Sequence, residues 1–264
     1  MIHEGQRGGI LPEHPVTSLN PVSALRNLRR INIDPSAIDH SNGNQLDNQQ
    51  FWNERYVTLP ELGSGPGSRG YAAWFKQKLI EDALATNQYR SLLDIGCGDL
   101  CWLRKGALGD VAYTGLDISD VVVKKNKEQF PEFQFLVHDI AKSPPSERAD
   151  LVVCFDVLLH QIDPADFSAA LKNTLAAIGK VGMISYITPD RSYAPLLDDV
   201  PEDALRDEEE FQRFTRSAKK KFPTAETAFH GELPERIKEA LPNARVRTFG
   251  AYRFQTVYEV IPSS

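Results

Sequence analysis

The sequence predicts an α/β fold with a mostly parallel sheet, and three observations lead to this prediction. In the middle of the chain, short apolar segments alternate with helical patterns, which is the order that parallel strands with right-handed crossovers require. The chain ends in two apolar segments, Ala244–Phe249 and Arg253–Ile261, spaced as a β-hairpin that would add one antiparallel strand. The length of 264 residues is sufficient for a full hydrophobic core.

The individual elements follow from residue spacing. Helices are predicted at Ser119–Phe130 and Ala165–Ile178, and in the second of these apolar residues recur every three or four positions. A further helix is predicted from Tyr71 onward, and Gly250-Ala251-Tyr252 is the predicted turn of the terminal hairpin. Together with that hairpin, five central strands give a seven-stranded sheet with helices on both faces: Ser91–Ile95, Ala112–Asp117, Phe133–His138, Leu151–Phe155 and Val181–Ile187.

The composition suggests three parts along the chain. Residues 1–50 have scattered Pro, Gly, Asn and Gln, and we interpret them as a partly disordered N-terminal extension. Residues 51–264 form the predicted domain. Within it, the segment of residues 188–243 is too long for a plain loop. It carries an acidic part followed by the basic Lys219–Lys221. We interpret it as a lid-like insertion, with a solvated helical decoration as the alternative.

Charge and hydropathy limit the possible classes of partner. The net charge of −6 argues against a general nucleic-acid binder. No apolar run approaches the roughly 18 residues that cross a bilayer, and the N-terminus lacks a secretion signal, so a cytoplasmic protein without membrane contact is expected.

No metal site is predicted. Cys97, Cys101 and Cys154 form no CxxC pair and are interpreted as small apolar fillers. The segment Asp163-Pro164-x-Asp166 is better explained as the start of a helix than as a group of metal ligands.

A glycine turn after the first central strand predicts a ligand site. Gly96-Cys97-Gly98 lets the backbone approach a ligand closely at the carboxyl end of the sheet. A dinucleotide fingerprint would have a third glycine, but Cys101 and then Trp102 occupy that region, and no phosphate-binding GKS/T sequence is present.

Acidic residues end four successive strands near this turn. Asp117 lies about 20 residues beyond it, where a carboxylate can accept hydrogen bonds from both ribose hydroxyls. Its alternative role is local helix capping ahead of Ser119. Clustered carboxylates disfavour an anionic pyrophosphate and suit a cationic ligand with hydroxyl and amine groups. The four acids are Asp94, Asp117, Asp139 and Asp156.

These residues resemble the ordered motifs of class I S-adenosylmethionine-dependent methyltransferases. The resemblance covers roughly Ser91 to Ile187, and it implies a Rossmann-like domain with S-adenosylmethionine as the cofactor. A looser similarity, to bacterial sugar and small-molecule methyltransferases, lies in Trp52-x-x-Arg55-Tyr56 and in Gly63–Ser68. The motifs that carry the main resemblance are Asp94-x-Gly96-x-Gly98-Asp99, Gly115-Leu116-Asp117-Ile118, His138-Asp139-Ile140 and Phe155-Asp156-Val157-Leu158-x-His160.

The resemblance implies a role for each cofactor-binding position. The turn residues would contact the adenosyl-methionine moiety with Asp94 orienting their loop, and the next two motifs would hold the ribose and the adenine. The last motif would face the methionine end, with two N-terminal residues closing over it. In this order the implied cofactor residues are Gly96, Cys97, Gly98, Asp94, Asp117, Ile118, Asp139, Ile140, Phe155, Asp156, Tyr56 and Gly63.

A methyl group on a sulfonium is already activated, so the protein mainly aligns an acceptor and excludes water. An oxygen acceptor also benefits from a base, and His160 is the best candidate, with a packing role as the alternative. Weaker candidates are Tyr186, Asp190, Tyr193 and His230.

The expected acceptor is a small molecule or saccharide, methylated on oxygen or nitrogen. Two other classes of function stay open: a cofactor-binding scaffold without catalysis, and a nicotinamide-dependent oxidoreductase. The intact glycine turn and ribose acid argue against the first. The absence of GxGxxG and of a Tyr-x-x-x-Lys pair argues against the second.

Overall fold

A computed structural model describes residues 47–86, 88–103, 108–188, 201–204, 206–207, 210, 213–214 and 225–263. Nearly all of the proposed N-terminal extension lies outside the described residues, as does much of the proposed insertion. Asp190, Tyr193 and Lys219–Lys221 lie outside them as well.

Seven strands form a single sheet in the order β3-β2-β1-β4-β5-β7-β6. The first five strands run parallel, and β7 is antiparallel to both of its neighbours, β5 and β6. The predicted Rossmann-like fold with one antiparallel strand is therefore confirmed. The strands are β1 (Ser91–Ile95), β2 (Ala112–Asp117), β3 (Gln134–Val137), β4 (Ala149–Cys154), β5 (Ile178–Ile187), β6 (Arg245–Tyr252) and β7 (Gln255–Ile261).

The α-helices that lie wholly in the described parts of the chain are α1 (Asn48–Thr58), α2 (Gly70–Thr86), α3 (Asp120–Gln129), α4 (Pro164–Ala176) and α5 (Leu233–Ala240). The Ser119 hydroxyl caps α3 by accepting a hydrogen bond from the backbone N–H of Val122. The Asp163 carboxylate caps α4 in the same way, with Pro164 in the first turn, which confirms that this acidic segment starts a helix.

The core lies on both faces of the sheet because successive strand residues point to opposite sides. Leu92 and Val153 pack with Phe75 of α2 on one face. Their chain neighbours Leu93 and Val152 pack on the other face, against helices α4 and α5. Helices therefore cover both faces, as the sequence predicted.

The hairpin turn differs from its prediction. Residues 250–252 belong to β6, and the turn is formed by Arg253 and Phe254, with Arg253 in the left-handed region at φ 54°. A Cβ on Gly250 would lie 2.6 Å from a ring carbon of Phe75, and the Tyr252 ring packs 5.6 Å from that same ring. Gly250 therefore allows close packing of α2 on the sheet, and does not form the turn.

In the part of the chain that the structure describes, no helix combines the length and the apolar character that crossing a membrane would require.

Candidate functional site

A cavity lies at the carboxyl ends of the parallel strands, next to the switch point between β1 and β4 where the strand order reverses. Most of the predicted site residues line it, although they come from five separate parts of the sequence. The predicted residues that line it are Tyr56, Gly96, Gly98, Asp117, Ile118, Asp139, Ile140, Phe155, Asp156 and His160.

The glycine turn forms the floor of this cavity. The backbone N–H groups of Gly96 and Cys97 donate to the carbonyl oxygen of Leu116, at 2.8 and 2.9 Å. Gly96 and Gly98 have φ values of 74° and 56°, which side-chain-bearing residues rarely adopt. The turn is thus tied to β2, with its backbone facing the cavity.

Asp117 makes the local contacts of its alternative role, and it also lines the cavity. One carboxylate oxygen accepts from the Ser119 N–H and the other from the Gly98 N–H, each at 2.9 Å. Burial raises the pKa of Asp117 to about 6, although the backbone donors oppose this. The side chain supports the adjacent helix start and also lines the cavity.

The next motif forms the wall beyond β3. The half-buried Asp139 carboxylate accepts from the backbone N–H of Ala141 at 2.9 Å. The carbonyl oxygen of Ile140 accepts from the Asn173 side chain at 2.8 Å, which fixes the position of this loop against α4.

A buried ion pair, which the sequence did not predict, holds the end of β4. The Asp156 carboxylate accepts hydrogen bonds from the Lys76 ammonium and the Gln255 amide. Lys76 is almost fully buried, and it also lies 5.7 Å from the centre of the Phe155 ring. Burial alone would raise the pKa of Asp156, but the charge of Lys76 outweighs it and the pKa is lowered.

His160 lies just beyond β4, in a short 3-10 turn, and lines the cavity. Its Nδ1 atom lies 2.7 Å from the carbonyl oxygen of Glu226. Because a carbonyl only accepts, Nδ1 carries the proton and Nε2 has the free lone pair. Burial lowers the pKa of His160 and so favours this neutral form.

Helix α1 and the glycine-rich loop after it cover the cavity. The Trp52 ring lies 5.3 Å from the His160 ring, and the Gln49 amide donates to the carbonyl oxygen of Ile118 at 2.9 Å. The Tyr56 hydroxyl lies 2.8 Å from the hydroxyl of Ser64.

The same loop is attached to the end of the glycine turn. The Ser64 hydroxyl donates to Asp99 at 3.0 Å, and the Arg69 guanidinium contacts the same carboxylate through both terminal nitrogens. The charge of Arg69 and the hydrogen bonds from Arg69 and Ser64 outweigh the effect of burial and lower the pKa of Asp99. The Asp99 carboxylate is therefore the point at which the covering loop is held.

Three predicted cofactor residues do not line the cavity. Gly63 belongs to the covering loop, where its carbonyl oxygen accepts from the Arg55 side chain at 2.9 Å. Asp94 is buried below the turn and accepts from the Tyr113 hydroxyl at 2.8 Å, and burial raises its pKa to about 7. Cys97 is buried beside Asn126.

Two further candidates contribute to packing. The Tyr186 hydroxyl is buried between the backbones of Ala228 and His230, and the His230 ring bonds to the carbonyl oxygen of Gln161 at 2.8 Å.

Cys154 is buried, as expected for a filler, whereas the filler interpretation is wrong for Cys101, which is exposed.

Comparisons with known proteins agree with this architecture. A family model described as a methyltransferase domain matches residues 69–227. A putative 23S rRNA (guanine-N(1)-)-methyltransferase of Bacillus subtilis is 29% identical over 153 residues, covering 53% of this chain and 50% of the relative. The chain thus spans about half the length of that curated relative.

Two solved structures share the fold. The magnesium protoporphyrin IX methyltransferase ChlM from Synechocystis PCC 6803, crystallised with S-adenosylmethionine, has a TM-score of 0.54 at 16% identity, covering 84% of this chain and 100% of that chain. The N-methyltransferase NodS from Bradyrhizobium japonicum WM9, in complex with S-adenosylhomocysteine, has a TM-score of 0.52 at 12% identity, covering 83% and 100%.

Proposed function

The chain belongs to the family of methyltransferase domains, whose methyl donor is S-adenosylmethionine, and from this premise we propose that it methylates an oxygen or nitrogen of a small molecule or saccharide. Family membership favours this function over the nicotinamide-dependent oxidoreductase that the sequence left open. Catalysis, and not cofactor binding alone, is part of the proposal.

The hydrogen-bond acceptors around the cavity fit this cofactor. Asp117 offers a carboxylate to the ribose hydroxyls, and Asp139 offers one to the adenine amine. Both lie along one wall with Ile118 and Ile140, whose apolar side chains suit the faces of the adenine ring. At Gly96 and Gly98 a Cβ would collide with the side chains of Val157 and Ser64, so only glycine allows this close packing at the cavity floor. The cofactor supplies an activated methyl group on a cationic sulfonium.

The charge of the cavity lining is the observation that carries the choice of acceptor. The described residues that line it include three carboxylates, those of Asp117, Asp139 and Asp156, and no Lys or Arg. A site that positions a nucleic acid needs cations or other donors for the phosphates near its entrance. The lining therefore favours an acceptor without phosphates.

His160 is the proposed base. With Nδ1 bound to the Glu226 carbonyl, its free Nε2 can accept the proton that an attacking hydroxyl or amine loses. The Trp52 ring beside it excludes water from one side of the imidazole. The same ring can pack against a flat or sugar-like acceptor.

A guanine of ribosomal RNA is the competing acceptor, because the Bacillus subtilis relative is named for that reaction. The protein is incubated with methyl-labelled S-adenosylmethionine and with either the small-molecule filtrate or the RNA fraction of a cell extract, which separates these possibilities. We expect the label in the small-molecule filtrate, in a product that survives ribonuclease and can be identified by mass spectrometry. Label that enters RNA and is released by ribonuclease would overturn the proposed acceptor, and S-adenosylhomocysteine binding without any transfer would indicate a scaffold.

A further inference from the structure

The peptide that joins Gly98 to Asp99 is held from two sides. Its carbonyl oxygen accepts a hydrogen bond from the Asn126 side-chain nitrogen at 2.7 Å, from below the cavity floor. Its N–H donates to the Ser64 hydroxyl at 2.9 Å, from the covering loop. The preceding N–H, that of Gly98, donates to Asp117. Three elements therefore fix the backbone on either side of Gly98.

Asn126 lies in α3, far from the chain segment that it contacts, and its side chain is fully buried. Its amide oxygen has no hydrogen-bond partner among the described residues. The opposite orientation of the amide would place this oxygen against the carbonyl oxygen of Gly98, where two acceptors repel each other. The hydrogen-bonding partner therefore defines the orientation, with the nitrogen directed at Gly98.

Burying an amide with an unsatisfied oxygen destabilises a protein, and an apolar side chain would avoid this cost. A residue with a purely packing function would not need a donor at this place. The contact of the side-chain nitrogen explains why an amide is present: the nitrogen fixes the carbonyl of Gly98, whose φ of 56° is a conformation that glycine adopts most readily.

We infer that Asn126 is a positioning residue for cofactor binding. By fixing the Gly98 carbonyl, it keeps the Gly98 N–H directed at Asp117 and so holds the Asp117 carboxylate in place for the ribose. Asn126 itself does not line the cavity. The inference rests on the proposed assignment of the glycine turn and Asp117 to S-adenosylmethionine.

The substitution Asn126→Asp tests this because it keeps the shape and replaces the donor by an ionisable acceptor. Binding of S-adenosylhomocysteine to the full chain is measured by titration calorimetry between pH 5.5 and 8.5, at a temperature where every variant is folded. At pH 8 the ionised carboxylate repels the Gly98 carbonyl, and we expect affinity to fall by about 10-fold or more relative to wild type. At low pH the protonated carboxyl can donate again, so the deficit relative to wild type at the same pH should shrink.

The groups that face this position are the Cys97 thiol and, across the turn, the Asp117 carboxylate, and both are common to variant and wild type. Asn243→Asp is the matched control, since it adds the same charge at an exposed position and should leave affinity unchanged. If Asn126→Asp does not fold, Asn126→Ser removes the reach of the donor, and it should weaken binding similarly without recovery at low pH.

A lowered melting temperature with unchanged affinity would overturn the inference and leave only a structural role for Asn126. An affinity deficit in Asn126→Asp that stays constant across the pH range would also contradict it. If wild type itself does not bind S-adenosylhomocysteine, the proposed cofactor site fails. If wild type binds and the Asn126 variants bind equally well, only the role of Asn126 is refuted.

Discussion

The Nδ1 atom of His160 donates a hydrogen bond to the carbonyl oxygen of Glu226, 66 positions later in the chain, at 2.7 Å. This contact links the end of β4 to the segment that leads into α5. It also fixes which ring nitrogen is available, because Nδ1 is occupied by its proton and its partner. The ring stays neutral since burial lowers its pKa.

Replacing His160 by Gln should lower turnover by about 100-fold or more, while cofactor affinity changes little, because a base acts only on the acceptor. The test compares the turnover number for the labelled acceptor with the dissociation constant of S-adenosylhomocysteine. In wild type the rate should fall only as the pH drops below 6.5, since the pKa is lowered and the neutral ring is the base. Full activity in His160→Gln would remove His160 as a base.

Asp117→Asn should weaken the binding of S-adenosylhomocysteine by about 10- to 100-fold, because a charged acceptor for the ribose hydroxyls is replaced by a neutral amide. The carboxylate is ionised above its pKa of about 6, so wild-type affinity should decline as the pH falls through 6. Titration calorimetry at pH 5 and pH 8 checks both expectations. Equal affinity of variant and wild type at pH 8 would refute the ribose assignment.

Most parts of the site that the sequence predicted lie at strand ends. In a parallel sheet all carboxyl ends meet at one edge, so the sequence alone predicts that Asp117, Asp139 and Asp156 lie close together. The bounds of β1 and β2 were predicted correctly because a glycine turn and a capped helix follow them directly.

The parts that the sequence missed depend on contacts between distant segments. Lys76 pairs with Asp156 across 80 positions, and no local pattern distinguishes Lys76 from the exposed Lys78 on the same helix. Asp94 is predicted together with the other acids at strand ends, yet its side chain lies below the glycine turn and is directed at Tyr113. Gly250 was interpreted as a turn residue, because the approach of Phe75 cannot be inferred from neighbouring residues.

Asp94→Asn should stabilise the folded protein above neutral pH. Burial raises the pKa of Asp94 from 3.8 to about 7, so folding disfavours the ionised form. The native state then holds a proton that the unfolded chain releases, and wild type should lose stability as the pH rises from about 4 to about 7, by on the order of 3 kcal/mol. The variant lacks this loss of stability, and its amide oxygen can still accept a hydrogen bond from the Tyr113 hydroxyl.

Urea denaturation of Asp94→Asn and wild type at pH 4.5 and pH 8 measures the difference. A variant that gains no stability relative to wild type between these two pH values would contradict the raised pKa. The affinity of Asp94→Asn for S-adenosylhomocysteine should stay near that of wild type, because the side chain does not line the cavity. A marked fall would instead favour the role in the cofactor loop that the sequence predicted.

Lys76→Met should destabilise the protein by about 3–5 kcal/mol, because it leaves the Asp156 carboxylate without its buried cation. Asp156→Asn keeps a residue that tolerates the left-handed backbone, at φ 59°, and leaves Lys76 unpaired. The double variant removes both charges, so its loss should be much smaller than the sum of the two single losses.

The exposed pair of Lys78 and Asp82, 2.6 Å apart on the same helix, provides the matched control. Lys78→Met should change stability by less than about 1 kcal/mol because solvent screens that pair. Urea denaturation at pH 7 gives the free energy of unfolding of all four variants. Additive losses of stability on substitution of Lys76 and Asp156 would contradict a coupled pair. Since the pKa of Asp156 is lowered, the coupling is present at pH values above 3.8 and should disappear as the pH falls through the lowered pKa.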